Sequence, residues 1–180
     1  MKDQNYFKKY VATIPDFPKP GIQFRDISPT LEDKEAFKES IDSLAEICSK
    51  YEFDKIICAD ARGFIFGGAV AYKLNKGMVV ARKPGKLPRP GFSYSYTLEY
   101  GKNTLLISEG SIKENERVII IDDLLATGGS ASAMIELVKM SKAIPVAALF
   151  YIELPNLNGR ANMKKVSDIP IYSLVEFEGE

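Results

Sequence analysis

A short aliphatic run that leads into two adjacent acids and a glycine-rich turn constrains this chain more than any other segment. The segment VIIIDDLLATGGS spans residues 118–130 and carries Asp122 and Asp123 directly after the aliphatic residues. Such a run predicts a buried strand, and a turn with two glycines before a serine predicts the start of a helix. Because ligands of open α/β sheets bind beyond the carboxyl ends of the strands, the segment predicts a binding site there.

The residue types of this segment indicate what the site binds. Two glycines allow the backbone to approach an anion, and the N–H groups at a helix N-terminus bind phosphate. Thr127 and Ser130 add hydroxyl donors, whereas Asp122 and Asp123 would repel a phosphate unless they bind sugar hydroxyls or a metal. Phosphate together with a vicinal diol describes a ribose 5-phosphate. The plainer alternative is a solvated strand end followed by a helix cap, and a nucleotide P-loop is excluded because no lysine follows the glycines.

Apolar strands and helices alternate along most of the chain, which predicts one α/β domain over residues 1–180 with a mostly parallel sheet covered by helices on both faces. The predicted strands are Lys55–Ala59, Met78–Ala81, Val118–Ile121, Val146–Ile152 and Ile171–Val175. The predicted helices are one from about Asp33, Phe64–Leu74 and Ser130–Lys142. A short N-terminal helix is predicted from Phe7, Tyr10, Val11 and Ile14, and residues 15–29, rich in proline, are expected to form an ordered loop.

The middle of the chain departs from this alternation. RKPGKLPRPG, from Arg82, is basic and rich in proline, and YSYTLEY then alternates with Tyr94 and Tyr96 on one face and Glu99 on the other. A turn at 101–103 and a returning strand at 104–107 complete a predicted hairpin. A long excursion of this kind is unusual unless it is a lid or a binding loop.

Composition excludes several classes of protein. Twenty-four basic and 24 acidic residues give no net charge, which argues against broad binding to nucleic acid or to an anionic membrane. The chain has no histidine, so triads and zinc sites that use histidine are excluded, and acid–base chemistry falls to other side chains. Cys48 and Cys58 form no CxxC pair, the N-terminus has no signal-peptide pattern, and the apolar runs are too short to span a bilayer, so a reducing, cytoplasmic location is expected.

The segment 118–130 resembles the phosphoribosyl pyrophosphate signature of the type I phosphoribosyltransferases. The resemblance implies that Asp122 and Asp123 bind the ribose 2- and 3-hydroxyls. It also implies that the following loop wraps the 5-phosphate, and this loop consists of Ala126, Thr127, Gly128, Gly129 and Ser130. Serine stands at 130, where threonine is common in the family, and the hydroxyl is kept.

Three more segments are similar to those of the adenine-using members of this family. FPKPGIQFRDISP (17–29) resembles a base-binding stretch, ADARGFIFGGAVA (59–71) a pyrophosphate loop, and ARKPGKLPRPGFSYSYTLEYG (81–101) a mobile catalytic loop. The resemblance implies a base-binding hood at 1–33, a mobile lid hairpin at 81–107 and a cis peptide between Asp60 and Ala61. It further implies a homodimer, and Mg²⁺ held through substrate and water without direct protein ligands.

These segments supply the remaining expected site residues. Those expected to bind the donor's pyrophosphate are Ala61, Arg62, Arg82, Lys83 and Lys86. Those expected to bind adenine are Gln23, Phe24, Arg25 and Leu154. Glu99 is expected to be the catalytic carboxylate, with Arg62 assisting. The implied reaction takes adenine and phosphoribosyl pyrophosphate to AMP and pyrophosphate.

Three alternatives stay open at this point. The first is a transferase for another base, since an oxopurine presents a reversed hydrogen-bonding edge. The second is a regulator that senses phosphoribosyl pyrophosphate without catalysis, although such proteins usually carry an added DNA-binding domain. The third is a phosphoacceptor receiver domain, which would explain the paired acids but neither the Thr-Gly-Gly-Ser turn nor the basic hairpin.

Overall fold

The computed structural model of the protein describes residues 2–98 and 101–178. Within these ranges the strands are β1 (Ala12–Pro15), β2 (Gln23–Asp26), β3 (Lys55–Ala59), β4 (Gly77–Ala81), β5 (Pro90–Leu98), β6 (Gly101–Ser108), β7 (Arg117–Leu125), β8 (Ile144–Glu153) and β9 (Ile171–Glu176). The helices are α1 (Gln4–Lys8), α2 (Ser28–Glu32), α3 (Lys34–Cys48), α4 (Gly63–Lys73), α5 (Gly129–Met140) and α6 (Gly159–Lys164), with a 3₁₀ turn at Pro155–Leu157. Among these described helices none has the length and apolarity that a membrane span requires.

Five strands form the central sheet in the order β4-β3-β7-β8-β9, and every neighbouring pair is parallel. Ile57 of β3 stands opposite Ile120 of β7, which stands opposite Ala148 of β8. The three central strands are almost wholly buried, as the continuous aliphatic runs predicted. The predicted parallel α/β sheet is confirmed.

Successive side chains of the sheet face two separate apolar cores. Cys58 and Ile121 face the side covered by α3 and α4, whereas Ile57 and Ile120 face the side covered by α5. On the first side the ring of Phe66 stacks on Tyr151 with centroids 5.0 Å apart. Helices therefore cover both faces, which fixes β7 at the centre of the molecule.

The hairpin β5–β6 lies outside the central sheet and packs against α5. Leu105 and Ile107 are buried in the second core, with Tyr94 and Tyr96 packed beside them. On the opposite face of the hairpin the Ser95 and Thr104 hydroxyls hydrogen-bond at 2.8 Å. The predicted alternation is confirmed for Tyr94, Ser95 and Tyr96, whereas Glu99 lies outside the described residues. The predicted turn at 101–103 is wrong, because β6 already begins at Gly101.

The N-terminal region differs from the sequence-based prediction. The first helix ends at Lys8, so only Phe7 of the predicted apolar face lies in it, and residues 12–15 form a strand instead. Three β-branched residues among Val11-Ala12-Thr13-Ile14 favour extended backbone, and β1 pairs antiparallel with β2. The predicted loop at 15–29 is accordingly part strand, and it ends in α2, whose early Pro29 suits the first turn of a helix.

The central strand is longer than predicted. β7 continues past Ile121 to Leu125, because β8 keeps pairing with it as far as Glu153. Asp122 and Asp123 therefore lie within the strand, not beyond its end. The pairing with β3 stops at Ile121, so the last four residues of β7 have a strand neighbour only on the β8 side. We call this unpaired edge of β7, next to the two acids, the cleft.

Alanine substitutions at two adjacent glycines of α4 are expected to change the stability of the fold in opposite directions. A Cβ on Gly67 would lie 1.8 Å from Cys58 Sγ, whereas a Cβ on Gly68 would lie 3.7 Å from Met78 Sδ. We expect Gly67→Ala to destabilise the fold by about 1–3 kcal/mol, the usual cost of overpacking. We expect Gly68→Ala to stabilise the helix by up to about 1 kcal/mol. Chemical denaturation measures both.

A second substitution tests whether the sulfur of Cys58 causes the loss of stability in Gly67→Ala. Cys58→Ala in the Gly67→Ala background should recover part of the lost stability, because the clashing sulfur is gone. If Gly67→Ala is as stable as the unaltered protein, the close approach of α4 to β3 is wrong.

Candidate active site

The paired acids lie side by side on the buried central strand. Asp122 is 7% exposed and Asp123 is 6% exposed. Asp122 Oδ1 accepts a hydrogen bond from the Asp123 backbone N–H at 3.0 Å. A Cβ on Gly63, the first residue of α4, would lie 2.4 Å from Asp122 Oδ1, so any larger residue here would displace that carboxylate. The start of α4 and the acid pair are thus in direct contact.

Burial shifts the protonation of both acids. The pKa of Asp122 is raised well above its usual range, first by loss of hydration and then by the neighbouring charge of Asp123. Burial also raises the pKa of Asp123, and the charge of Arg62 opposes that shift. Two buried carboxylates with raised pKa values are typical of a site that binds something, since a purely structural strand gains nothing from them.

Arg62 connects the acid pair to the N-terminal region. Its Nε lies 2.8 Å from Asp123 Oδ2, but the N–H bond is not directed at that oxygen, which accepts no hydrogen bond from any described residue. The guanidinium also lies over the ring of Phe24, 5.4 Å from its centroid, and Phe17 contacts the same ring edge-on. One side chain therefore bridges the predicted ribose-binding and base-binding segments.

The glycine-rich loop joins β7 to α5 through backbone that only glycine tolerates. Gly128 has a φ of 81°, and a Cβ there would lie 2.6 Å from Gly159 O. The loop thus packs against the backbone of α6, and α5 starts directly after it at Gly129. Ser130 Oγ lies 3.0 Å from the Tyr96 hydroxyl of β5, so the hairpin contacts the predicted phosphate site.

Two of the predicted cations converge on a buried carboxylate. Lys86 Nζ lies 3.1 Å and Arg82 Nε 3.4 Å from Asp60 Oδ2, and the Asp60 side chain is 8% exposed. Burial acts to raise the pKa of Asp60, but the hydrogen bonds and charges of Lys86 and Arg82 outweigh it and hold that pKa below the usual value. Lys83 is exposed on the turn that follows. The peptide between Asp60 and Ala61 is cis, as the resemblance implied.

The structure places the predicted base-binding residues in different surroundings. Gln23 and Phe24 are partly exposed on β2, and the N–H of Leu154 donates to Leu125 O at 2.9 Å, beside the end of β7. The side chain of Arg25 turns away: its guanidinium donates to Thr13 Oγ1 and to Glu178 O and lies over the ring of Phe177. The side chain of Arg25 is therefore already bound by residues of β1 and of the C-terminal segment.

Comparison with known proteins agrees with this geometry. Residues 29–177 match the family model described as phosphoribosyl transferase domain. An adenine phosphoribosyltransferase of Thermosipho africanus is 52% identical over 168 residues, which are 93% of this chain and 97% of that protein. The crystal structure of adenine phosphoribosyltransferase from Thermoanaerobacter pseudethanolicus superposes with a TM-score of 0.91 at 45% identity, covering 97% of this chain and 99% of that chain.

A third relative was solved with ligands. The enzyme of Saccharomyces cerevisiae, complexed with adenine and an imino-altritol 1,6-bisphosphate, has a TM-score of 0.87 at 35% identity, covering 96% of this chain and 98% of that chain. The chain belongs to the adenine phosphoribosyltransferase family. The family assignment made from the sequence is confirmed, as is the fold.

Two residues of the candidate site were not predicted from the sequence, and one predicted residue has no described position. Glu99, the expected catalytic carboxylate, lies outside the described residues. Asp60, the partner of two predicted cations, was overlooked, although an acid between a buried strand and Ala61-Arg62 was a visible signal. Asn162, which donates to Thr127 O at 2.9 Å, had no such signal, because it lies 35 residues away on α6.

The raised pKa of Asp122 has a consequence for stability. Folding favours the protonated acid, so the stability associated with it is present at low pH and is lost as pH rises through the raised pKa. Asp122→Asn cannot carry the charge, and we expect it to raise Tm at pH 7. Each kcal/mol gained should appear as about 2–4 °C in a domain of this size.

The pH dependence separates this effect from a general gain in packing. Thermal unfolding followed by circular dichroism should show the Tm difference shrinking toward zero near pH 4, where an unfolded aspartate becomes protonated. Asp168→Asn, at an exposed acid, is the matched control. A lower Tm for Asp122→Asn at pH 7 would contradict the expected cost of burying this carboxylate.

Proposed function

We propose that this protein transfers the 5-phosphoribosyl group from phosphoribosyl pyrophosphate to adenine, giving AMP and pyrophosphate, as a purine salvage enzyme. One observation carries the proposal beyond the family assignment. Arg62 contacts both the buried acid pair and the ring of Phe24, and the glycine-rich loop follows the acid pair directly before α5. A sugar phosphate and an aromatic base are the two chemistries that these groups bind.

The donor's ribose phosphate is assigned to the end of β7 and the loop after it. Asp122 and Asp123 would accept hydrogen bonds from the 2- and 3-hydroxyls, and Asp123 Oδ2 is an acceptor that no described residue satisfies. Residues 126–130 would hold the 5-phosphate through backbone N–H groups at the start of α5, with added hydroxyls from Thr127 and Ser130. A helix N-terminus favours that negative charge.

The pyrophosphate is assigned to the opposite side of the cleft. Ala61 would contribute backbone, and the cations would be Arg62, Arg82, Lys83 and Lys86. Arg82 and Lys86 are held at the cleft by Asp60. Binding the donor would then exchange an internal carboxylate partner for pyrophosphate oxygens, and Arg62 would likewise shift from Asp123. A guanidinium suits that role because its planar fork binds two oxygens.

The base is assigned to β2 and to the segment after β8. Phe24 offers a ring face, Leu154 an apolar contact, and the backbone of Gln23 and Arg25 the polar contacts to the purine edge. Because the Arg25 guanidinium is already bound at the C-terminal segment, its side chain is not proposed as a ligand. A backbone C=O and N–H pair matches the N6 amino donor and N1 acceptor of adenine.

The reaction would proceed by displacement at C1 of the ribose. N9 of adenine forms the new bond to C1 while the bond from C1 to the pyrophosphate oxygen breaks, and pyrophosphate leaves with the electron pair. Glu99 is proposed to exchange the proton with the purine, and the cations around the pyrophosphate would stabilise its developing charge. The hairpin within 81–107 is proposed to close over the cleft and exclude water.

Mg²⁺ is proposed as the cofactor, and the acid pair is compatible with it. Protein-bound Mg²⁺ usually keeps several waters and binds through one or two carboxylates plus substrate phosphates. The described residues contain no group of three acidic or cysteine side chains that could hold the ion. The proposal is that substrate and water would hold the ion near Asp122 and Asp123. When bound, it would offset the charge of the leaving group.

A homodimer is proposed as the assembly. The exposed side of α4 carries Ile65 and Tyr72, seven residues apart on one face. Met78 of β4, also exposed, lies near Gly68 of the same helix. Tyr72 is 90% exposed, an unusual position for a large aromatic side chain. No nucleic-acid or membrane partner is proposed. A cytoplasmic location stays a prediction, supported by the two cysteines, which are free and buried.

The base preference tests the proposed function. We expect adenine to be preferred over hypoxanthine and guanine by on the order of a hundredfold or more in kcat/KM, because each buried polar group left unpaired costs about 1–3 kcal/mol. Pyrophosphate release is followed with each base at one donor and Mg²⁺ concentration. Equal rates with hypoxanthine would refute adenine as the substrate and leave phosphoribosyl transfer intact.

A double variant tests whether turnover requires the acid pair. Asp122→Asn combined with Asp123→Asn should nearly abolish turnover and weaken binding of phosphoribosyl pyrophosphate, while circular dichroism stays unchanged. Unchanged donor affinity in this variant would remove the ribose role from the acid pair.

The α4 surface predicts how the dimer can be broken. Tyr72→Glu would place a charge within the apolar patch, and sedimentation should then show monomers. Tyr72→Phe keeps the ring and should remain dimeric. A monomeric unaltered protein, or a dimeric Tyr72→Glu variant, would overturn this interface.

A further inference from the structure

Helix α6 lies directly behind the loop assigned to the 5-phosphate. A Cβ on Gly159 would lie 2.3 Å from Ala126 O, and a Cβ on Gly128 would lie 2.6 Å from Gly159 O. The backbones of the loop and of α6 are therefore in close contact, and the Leu125 side chain packs against Gly159 as well. A shift of α6 would be transmitted to the loop.

One side chain of α6 also holds the loop. Asn162 Nδ2 donates a hydrogen bond to Thr127 O at 2.9 Å. The other atom of the same amide, Oδ1, accepts from Lys165 Nζ at 2.8 Å. Because a lysine can only donate, its contact fixes which end of the amide faces the loop.

The hydrogen bond from Asn162 also determines which way the N–H groups of the loop point, because each peptide plane joins a carbonyl to the N–H of the next residue. The peptides of the loop are trans, so the carbonyl of each residue and the N–H of the next point in opposite directions. With Thr127 O held by Asn162, the Gly128 N–H points away from α6. Ala126 O faces Gly159, so the Thr127 N–H points away as well. Successive N–H groups aimed to one side form a concavity for an anion.

The start of α6 is itself fixed to the sheet. Arg160 donates two hydrogen bonds of 2.6 Å to the two carboxylate oxygens of Glu153, which is 3% exposed. Ser173 Oγ donates to the same carboxylate at 2.7 Å, and Arg160 also donates to Ile171 O. Glu153 stands opposite Leu125 in the pairing of β8 with β7. These contacts anchor the start of α6 behind the loop.

We propose that Asn162 is a positioning residue for the 5-phosphate: its amide holds the Thr127 carbonyl so that the Gly128 N–H faces the anion. The proposal rests on the proposed function, because it assumes that the loop binds a sugar phosphate. Asn162 does not touch the anion itself, and it acts through the orientation of one peptide plane.

The test is Asn162→Leu, which keeps the size of the side chain and removes the donor. Calorimetry with ribose 5-phosphate should show a Kd increased about three- to tenfold, the range of one hydrogen bond. The KM for phosphoribosyl pyrophosphate should rise similarly, with the KM for adenine unchanged. Lys164→Met, at an exposed lysine of α6, is the matched control and should bind ribose 5-phosphate like the unaltered protein.

Each outcome bears on one of the two proposals. If the unaltered protein does not bind ribose 5-phosphate, the proposed function fails. If it binds and Asn162→Leu binds equally well, or if the KM for adenine rises as much as the Kd for the sugar phosphate, the positioning role fails. Should Asn162→Leu not fold, Asn162→Ala takes its place. In either variant the ¹⁵N–¹H signal of Gly128 should move in the free protein, and an unmoved signal contradicts the proposal.

Discussion

The burial of two adjacent carboxylates in the central strand is the constraint on which the rest of the site depends. Asp122 and Asp123 lie in a strand whose neighbours are almost wholly apolar, and loss of hydration raises the pKa of both. A buried charge needs a partner, or its cost falls on the fold. The chain supplies one cation, Arg62, and a glycine at 63 that lets α4 begin against Asp122. The acids therefore fix the end of β3, the start of α4 and the direction of Arg62 together.

The same arrangement recurs on the other side of the cleft, where Asp60 is the partner of Arg82 and Lys86. In both places an internal ion pair occupies groups that the proposed donor would use. Charges held this way stay ordered and close to the cleft without ligand, and they need little rearrangement when one anionic partner replaces another. A chain with no net charge can in this way present a strongly charged site.

Sequence patterns predicted the sheet because its strands are buried on both faces and therefore form continuous aliphatic runs. The patterns failed where a helical and a strand pattern overlap, as at Val11–Ile14. The apolar residues there have helical spacing, but the run is rich in β-branched residues and most of it pairs with β2. The residues proposed to bind the 5-phosphate were predicted from their order along the chain. The residues that pack behind them were not predicted, because Gly159 and Asn162 are distant in the sequence. The orientation of Arg25 was likewise beyond prediction, since it depends on Phe177 and Glu178 at the opposite end of the chain.

The site is built largely from backbone that approaches other backbone or a buried side chain, and this explains which departures from the family pattern the chain tolerates. Ser130 stands where threonine is common in the family, at a position where peptide N–H groups do most of the proposed binding. A lost or altered hydroxyl there removes one contact and leaves the peptide planes in place. Gly63 and Gly128 are unlike the hydroxyl positions. A Cβ on Gly63 would lie well inside contact distance of Asp122 Oδ1, and a Cβ on Gly128 would lie equally close to Gly159 O. Side-chain identity can therefore vary at the hydroxyl positions, whereas the glycines are fixed by the path of β7, α4 and α6 around the acid pair.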